Sequence, residues 1–479
     1  MPFLRKLLTA QNIITKQPLN LFAEFRIFVL LAILSACLGC GIKRYVNEYV
    51  GGVDNAELPS ALVDFVETAQ LNNVWSQNTG KGSDELFIKL VPAILDNQIF
   101  VADTRGNISA LYADTGKKIW RNDSDLPITG GPGADVNLVM VGTSEGDILS
   151  LTIETGEEVW RSTVSSEILS APREAEGVVI VRTIDGKIFA LDATNGERLW
   201  VYDRTVPALT LRGTSTPVIS NGLVIAGFDG GRVTALELKT GKLIWEIKVA
   251  VSRGRSELER MVDIDVQPLI VADIIYVTTF QANVSALSLE TGQILWQRDI
   301  SSHSELGIDD DNLYVTDEMG NIWALDRFSG ASIWKQEKLT YRQVTGPVVL
   351  GDKVIVGDLE GYLHWLNNTT GEFAARTRIG KDPILTRAIV SNDILFAYSS
   401  DGRLSAYTYY NKAQKDLPKE PVVKEEPSSK QQETKKVSTK ETDTNKTTET
   451  SKTQAETKEK RSFFGKFLDI FTDDDEEEE

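Results

Sequence analysis

Gly106-Asn-Ile-Ser-Ala-Leu111 and, five residues later, Gly116-Lys-Lys-Ile-Trp120 are two short motifs that return along the chain as a pair. The first motif occurs eight times, beginning at Gly106, Gly146, Gly186, Gly231, Ala282, Gly320, Gly361 and Gly402. The second motif ends in Trp120, Trp160, Trp200, Trp245, Trp296 and Trp334, with Ala375 in this place in the seventh copy and no counterpart in the eighth. The motif pair recurs about every 40 residues, and a repeat of that length is typical of folds built from successive similar units.

Each repeat is predicted to form short strands, because its apolar runs are β-branched or aromatic and are separated by glycine-containing turns. In the first repeat these runs are Ile99–Ala102, Ile108–Leu111 and Lys118–Trp120, and a further strand such as 136–139 is expected before each set. Four strands in roughly 40 residues, repeated eight times, predict an all-β, eight-bladed β-propeller.

The eighth repeat lacks its last strand, and Asn72-Asn-Val-Trp75 lies unassigned before the first repeat. We predict that this N-terminal strand completes the eighth blade and closes the ring, which removes an exposed sheet edge. The repeated tryptophans could form a cofactor floor, but eight equivalent positions favour packing between blades.

Two consecutive connections between blades are longer than the others. The spacing from the tryptophan of one repeat to the start of the next is 24 to 27 residues, except for 31 after Trp200 and 37 after Trp245. The extra residues should lie side by side on one face of the disk, in 206–213 and 252–265. They mix apolar and charged residues, as partner sites on loops do, although solvated loops that cap the blades are the alternative.

Composition limits the function classes. The net charge is −18, and residues 37–410 carry 33 basic against 50 acidic side chains, which argues against binding nucleic acid. The chain has two histidines, His303 and His364, and two cysteines, Cys37 and Cys40, so most zinc or copper sites and histidine-based catalysis lack ligands. No cofactor or metal is expected.

The N-terminus resembles a bacterial lipoprotein signal, with a basic stretch, the apolar run 27–34 and Leu34-Ser35-Ala36-Cys37. This lipobox implies removal of 1–36 and acylation of Cys37, with 37–60 as a tether. Leu38 after the cysteine resembles lipoproteins sent to the outer membrane. Cys40 is the weaker alternative, and an uncleaved anchor or a plain secretory signal is the alternative to a lipobox.

The chain resembles the BamB family, the lipid-anchored β-propellers of the outer-membrane β-barrel assembly machinery. The resemblance covers about residues 60–410 and is carried by the lipobox, the eight repeats, 209–213, 257–265 and 356–365. It implies a non-catalytic scaffold on the periplasmic face of the outer membrane of a Gram-negative bacterium. The implied partners are POTRA domains of the inserting subunit, other lipoproteins of the machinery and unfolded barrel precursors. The implied POTRA contacts are Leu209, Leu211, Arg212, Asp263 and Asp265.

The competing class is a periplasmic quinoprotein dehydrogenase, dependent on pyrroloquinoline quinone, because those enzymes share the repeat and the blade number. They resemble one another in an adjacent pair of cysteines and a calcium site. No cysteine lies within residues 61–410, the predicted propeller, and acidic residues at blade turns usually serve the turns.

The C-terminal part has a different composition. Residues 411–460 contain no aromatic residue and no glycine, which predicts a disordered linker. Residues 461–479 form a short amphipathic segment with an acidic end, in which a helix would place on one face Phe463, Phe464, Phe467, Leu468 and Phe471. We expect this face to bind a protein groove; a sticky segment without function is the alternative.

Overall fold

The structure is a computed structural model that describes residues 57–83, 86–205, 213, 215–251, 255–256 and 258–412. From Pro59 onward these residues belong to one compact unit. This unit contains eight antiparallel four-stranded sheets, which are the blades of a propeller. Among the described residues, no helix is long and apolar enough to cross a membrane.

The strands follow one another blade by blade. Blades 1 to 4 consist of β2 (Ala93–Leu95), β3 (Gln98–Ala102), β4 (Asn107–Tyr112), β5 (Lys118–Asp123); β6 (Ile128–Ala134), β7 (Leu138–Thr143), β8 (Asp147–Thr152), β9 (Glu158–Thr163); β10 (Arg173–Ala175), β11 (Val178–Arg182), β12 (Ile188–Asp192), β13 (Arg198–Tyr202); and β14 (Val218–Ser220), β15 (Leu223–Phe228), β16 (Arg232–Glu237), β17 (Leu243–Lys248).

Blades 5 to 8 consist of β18 (Leu269–Val271), β19 (Ile274–Thr278), β20 (Val284–Ser288), β21 (Ile294–Arg298); β22 (Gly307–Ile308), β23 (Asn312–Thr316), β24 (Ile322–Asp326), β25 (Ser332–Gln336); β26 (Val348–Leu350), β27 (Lys353–Gly357), β28 (Tyr362–Asn367), β29 (Phe373–Arg378); and β30 (Ile389–Ser391), β31 (Ile394–Tyr398), β32 (Arg403–Asn411), β1 (Ala69–Asn78). A short 3-10 helix, Leu258–Arg260, precedes blade 5.

The first strands of successive blades contact one another and surround the centre of the ring. The second and third strands are almost wholly buried because neighbouring blades cover both of their faces; β11, for example, is buried along its whole length. The fourth strand is the outer edge of its blade. Connections from one blade to the next lie on one side of the ring, which we call the connection face. The hairpins joining third and fourth strands lie on the opposite side, the hairpin face.

The N-terminal strand closes the ring, as predicted. Strand β1 pairs with β32 from Ala69 opposite Asn411 to Asn78 opposite Arg403. Trp75 thereby occupies the position that the repeat leaves empty in blade 8 and is buried. The prediction of an eight-bladed, all-β propeller with an N-terminal closing strand is confirmed.

The repeated tryptophans pack between blades. The indole nitrogen of Trp120 donates to the backbone carbonyl of Ile153 in the next blade at 2.8 Å. The same ring covers Gly156, where φ is +71° and an added Cβ would lie 2.4 Å from the ring. The turn glycine is therefore required both by its backbone conformation and by its neighbour. Indole-to-carbonyl bonds to the following blade recur for Trp75, Trp160, Trp200, Trp245, Trp296 and Trp334.

Blade 7 exchanges the positions of the large and the small residue. Trp365 in β28 lies opposite Ala375 in β29, whereas Ala110 lies opposite Trp120 in blade 1. The exchange has a topological reason, because the third and fourth strands of blade 8 come from opposite ends of the chain and no hairpin glycine is available there to receive an indole ring. Trp365 is fully buried and packs against Tyr409 at a ring distance of 5.4 Å.

One strand prediction was wrong. The segment 136–139 was expected to be the first strand of blade 2, but that strand is Ile128–Ala134, and residues 136–137 form the turn to β7. Three glycines in 130–133 hid this strand. Their lack of side chains allows the strand to lie against the backbone of 168–172; an added Cβ at Gly133 would lie 1.9 Å from the carbonyl oxygen of Pro172.

Candidate functional site

The two long connections enter blades 4 and 5 on the connection face, one blade apart, as the spacing predicts. Leu209, Leu211 and Arg212 of the first connection lie outside the described residues. Its described part ends with Gly213 and Ser215, which lead to β14. The described part of the second connection is residues 249–251, 255–256 and 258–268.

The second connection has its own local structure. The Ser256 hydroxyl accepts a hydrogen bond from the amide of Glu259 at 3.2 Å, and a carboxylate oxygen of Glu259 accepts from the amides of Arg255 and Ser256. This Ser-x-x-Glu pair is a capping box for the 3-10 helix. Ile264 then anchors the connection on blade 4, because its side chain fills the space in which a Cβ on Gly227 would lie, 2.2 Å away.

A buried arginine lies at the base of both connections. Arg182 ends β11 of blade 3, is 1% exposed and stacks over the ring of Phe228 at 4.7 Å. Its guanidinium lies 4.0 Å from the carboxylate of Asp229 and donates to the carbonyl oxygen of Ser215 at 3.3 Å. Arg182 therefore links blade 3, the turn between β15 and β16 of blade 4 and the end of the first connection.

Asp263, one of the predicted partner contacts, is 2% exposed. Its carboxylate accepts a hydrogen bond from the amide of Gly230 at 3.1 Å, and its carbonyl oxygen accepts from the amide of Phe280 at 3.0 Å. These bonds hold the second connection between the turns of blades 4 and 5. The described contacts of Asp263 are thus with this chain's own turns.

Asp265, the other predicted acidic contact, joins the two connections. Both oxygens of its carboxylate are buried and make no hydrogen bond to any residue that the structure describes. Its Cγ would lie 3.0 Å from a Cβ on Gly213, so the first connection packs directly on this carboxylate. Burial, together with the nearby carboxylates of Asp263 and Asp229, raises the pKa of Asp265 to about 8.

The same surroundings affect Asp229. Burial raises its pKa to about 6, and the guanidinium of Arg182 limits the rise. The carboxylates of Asp229, Asp263 and Asp265 therefore lie near the fully buried guanidinium of Arg182, and the raised pKa of Asp265 favours its protonated form at neutral pH. This cluster of buried charged groups forms the base of the two inserted connections.

A second group of charges lies where the first connection leaves blade 3. The Arg204 guanidinium is paired with Glu246 of β17, and Arg232 of β16 contacts the same carboxylate at 2.8 Å. Arg204 also lies over the ring of Phe228, at 5.4 Å, on which Arg182 stacks. The ring of Phe228 is therefore contacted both by Arg204, at the start of the first connection, and by Arg182, which binds near its end.

Sequence reasoning missed Arg182, Asp229 and Gly213 as members of this site. A signal was available for Arg182, since it takes a place where the other repeats have a small residue or, in blade 8, Tyr398. Asp229 and Gly213 have no such signal, because aspartate and glycine are common in the turns of every blade.

The remaining predicted site residues fall outside the described chain. They are Cys37, Cys40, Phe463, Phe464, Phe467, Leu468 and Phe471. In the described part, no group of three or more histidine, cysteine, aspartate or glutamate residues is arranged to hold a metal ion.

Comparison with known proteins adds a family to this geometry. The family model described as outer membrane protein assembly factor BamB matches residues 67–336. The protein of that name from Pseudomonas aeruginosa is 43% identical over 380 residues, covering 79% of this chain and 97% of the relative. The Escherichia coli K12 protein of that name is 30% identical, covering 80% of this chain and 100% of the relative.

Solved structures agree. The crystal structure of BamB from Moraxella catarrhalis aligns with a TM-score of 0.65 at 28% identity, covering 71% of this chain and 100% of that one. A quinohemoprotein alcohol dehydrogenase from Comamonas testosteroni aligns with a TM-score of 0.57 at 14% identity, a likeness of fold alone. On the sequence matches above, the chain belongs to the BamB family of outer membrane protein assembly factors.

Proposed function

We propose that this protein is a non-catalytic scaffold of the outer-membrane β-barrel assembly machinery and that it docks on POTRA domains of the inserting subunit. The relatives named above are assembly factors, and this chain spans 97% of the Pseudomonas aeruginosa protein and 100% of the Escherichia coli protein. Docking uses Leu209, Leu211 and Arg212, while Asp263 and Asp265 hold the connections in place.

One observation carries the proposal: the two inserted connections are adjacent and rest on a common buried base. Asp265 packs against Gly213, and Arg182 holds the carbonyl of Ser215. Fixing the bases of the two connections reduces the conformational freedom that must be lost on binding, which favours affinity at a protein interface. Apolar and arginine side chains are the usual anchors of such interfaces.

The test is recovery of the inserting subunit with the tagged, full-length protein. We expect Arg212→Glu to reduce recovery at least tenfold, because a charge reversal at an interface costs both attraction and register. The matched control is Arg161→Glu on the outer strand of blade 2, where the arginine is paired with the exposed carboxylate of Glu158. Equal recovery of the inserting subunit with both variants would contradict the assignment.

The proposed location is the periplasmic face of the outer membrane, with Cys37 as the acylated residue. The support is the lipobox and the membrane named in the relatives' descriptions. Cys37→Ser should abolish incorporation of labelled palmitate and release the protein from the membrane fraction, whereas Cys40→Ser should do neither. The opposite pattern would assign the lipid to Cys40.

Unfolded barrel precursors are a proposed further partner, supported by the outer strands of blades 3 to 5. Strands β13, β17 and β21 are the free edges of their sheets and expose apolar side chains at Leu199, Val201, Leu243, Ile244 and Leu295. Open, apolar edges can accept an added strand from another chain. The sequence alone showed no such edge, because the repeat does not reveal which strand faces solvent.

A photo-crosslinker at Val201 should capture precursor during outer-membrane protein synthesis. The control is a crosslinker at Val136, an exposed apolar residue between β6 and β7 that is not on an outer strand. Equal capture at both positions would contradict a specific role for the open edges.

The absence of catalysis is itself testable. Incubation of the protein with pyrroloquinoline quinone and calcium should produce no oxidation of alcohols or sugars. Turnover would favour the dehydrogenase alternative over the scaffold.

A further inference from the structure

We propose that residues 59–68, here called the strap, fix the point at which the membrane tether leaves the propeller and place that point on the connection face, beside blade 7. The inference rests on the proposed acylation of Cys37 for its meaning, but the docking of the strap does not depend on it. Without this docking, residues 59–68 would be the last ten residues of a tether that runs from Cys37 to the start of β1.

The strap runs along the outside of blade 7 from one face to the other. At its start, the amide of Ser60 donates to the carbonyl of Thr340 at 3.1 Å and its hydroxyl donates to the carbonyl of Lys338 at 3.0 Å. Both carbonyls belong to the connection between blades 6 and 7. At its end, the amide of Thr68 donates to the carbonyl of Ala374 at 2.9 Å, beside the hairpin face.

Two arginines hold the strap: Arg342, in the connection between blades 6 and 7, binds its start, and Arg376 of β29 binds its middle. Arg342, which is 2% exposed, donates to the carbonyl oxygen of Ser60 at 2.9 Å. Arg376 donates to the carbonyl oxygen of Val63 at 3.0 Å and lies over the ring of Phe65 at 4.9 Å. Alternate strap residues, Val63 and Phe65, face the blade, as in an extended chain lying on a surface.

Phe65 gives the strap an apolar anchor. Its ring stacks on Phe373 of β29 with a centroid distance of 5.3 Å and an angle of 27°. Arg376 lies over Phe373 as well, at 5.2 Å, so one guanidinium covers the rings of both the strap and the blade. Such stacked arginines combine packing with charge.

A fully buried histidine orients these arginines. His364 lies 2.8 Å from the carboxylate of Asp358 through Nε2, and its Nδ1 is 3.1 Å from Nε of Arg376. Because a guanidinium can only donate, Nδ1 accepts and Nε2 donates to Asp358. Arg342 donates to the same carboxylate at 2.8 Å. The network thus directs both guanidinium groups toward the strap, a use for the motif 356–365 that the repeat does not require.

The strap changes both the maximum length of the tether and the point at which the tether leaves the propeller. From Cys37 to Pro59 there are 22 residues, with a limit of about 75 Å when extended, while a free strap would lengthen the limit to about 110 Å. Without the strap the tether would leave from Ala69 at the hairpin face. With it, the tether leaves on the face that carries both inserted connections.

Hydrogen exchange of the full-length lipidated protein tests the docking. We expect the amides of Ser60 and Thr68 to exchange at least about tenfold more slowly than in an unstructured chain. Arg376→Ala should remove most of this protection while leaving strands β1 and β32 protected. The matched control is Arg378→Ala on the same strand, since Arg378 contacts Glu360 and Tyr362 but not the strap. Fast exchange of both amides in the wild-type protein would overturn the proposal.

Pulsed electron resonance tests the exit point. Spin labels at Ala61 and Lys338, both exposed, should give a single narrow distance distribution in a Cys40→Ser background, and Arg376→Ala should broaden it. A broad distribution without Arg376→Ala would overturn the assignment of the exit. Recovery of the inserting subunit by the Arg376→Ala protein separates the two proposals: unchanged recovery leaves docking by the inserted connections standing whatever becomes of the strap.

Discussion

Asp265 lies in an inserted connection and Asp358 lies in a turn of blade 7, the blade in which Trp365 and Ala375 are exchanged; both carboxylates are buried, yet their surroundings are opposite. The Asp265 oxygens make no hydrogen bond to a described residue, and burial is the main cause that raises the pKa of this side chain to about 8. Burial also opposes ionisation of Asp358, but hydrogen bonds from His364 and from the Tyr362 amide, together with the charge of Arg342, hold its pKa below the usual range.

The difference indicates two roles for the regions in which the chain departs from the regular repeat. In blade 7, His364, Arg342 and the Tyr362 amide bond the buried carboxylate of Asp358, and the network binds the chain's own strap. Under the inserted connections of blades 4 and 5, the carboxylate oxygens of Asp265 have no hydrogen-bond partner among the described residues. Incompletely satisfied polar groups are less favourable for stability and are commonly kept for binding.

The largest effect should come from breaking the satisfied network. Arg342→Leu would leave Asp358 buried with one charged partner fewer and would free the Ser60 carbonyl. We expect a loss of about 3 kcal/mol in the free energy of unfolding, since removing one member of a buried ion pair leaves the other uncompensated. Urea unfolding followed by fluorescence measures this loss.

The control for this prediction is Arg378→Leu, which removes an exposed arginine from the same blade. Its effect should stay below about 1 kcal/mol. Equal losses in the two variants would mean that the network around Asp358 contributes no more than a surface contact.

The opposite sign is expected for Asp265→Asn. Because the pKa of Asp265 is about 8 in the folded protein and 3.8 ordinarily, the folded state retains a proton that the unfolded chain releases between about pH 4 and pH 8. The stability that this proton provides is present below pH 4 and is lost as the pH rises toward 8. Asparagine does not ionise, so the variant should be more stable at pH 8 by about 1–3 kcal/mol.

The measurement is the free energy of unfolding as a function of pH for both proteins. The two curves should converge near pH 4 and separate as the pH rises. A variant that is less stable than wild type at pH 8 would show that the ionised carboxylate is stabilised there, and the contrast with Asp358 would disappear.

Much of the fold followed from the sequence because it depends on local, repeated requirements. The turn glycine of a repeat packs against the indole ring of the preceding blade. The repeated glycine and tryptophan positions, such as Gly116 and Trp120 in blade 1, therefore mark the boundaries between blades in the sequence. The exchange of Trp365 and Ala375 could not be anticipated in the same way. It depends on the missing hairpin of blade 8, which is a property of the closed ring rather than of one repeat.

The sequence predicted where the candidate site lies but not what its individual residues do. The lengths of the insertions predicted the positions of both connections. The sequence does not distinguish Asp263 from Asp265, although the two side chains make different contacts. The strap had no sequence signal at all, because the atoms of Ser60 and Val63 that Arg342 and Arg376 bind are backbone carbonyls. Such contacts depend on where the chain passes and not on which side chain it carries.

A smaller effect is expected where the two connections meet. In Gly213→Ala the new Cβ would lie 3.0 Å from Cγ of Asp265, so one connection must shift by a few tenths of an ångström. We expect stability to change by about 1 kcal/mol or less, since Gly213 is at the edge of the ring's packing. Recovery of the inserting subunit should fall about threefold to tenfold. Unchanged recovery would mean that docking does not depend on this spacing.

The smallest effect on stability is expected at the C-terminus. The last described contacts of the chain belong to Lys412, whose amide donates to the carbonyl of Thr68 and whose ammonium lies 3.0 Å from the carboxylate of Glu67. Deleting residues 413–479 keeps these contacts, so the unfolding free energy should change by less than about 0.5 kcal/mol. Deletion from residue 411 removes them and should also loosen the end of the strap. If Phe463, Phe464, Phe467, Leu468 and Phe471 bind a partner, the shorter deletion should weaken one envelope interaction without altering either broken repeat, and unchanged binding to every envelope partner would refute that role.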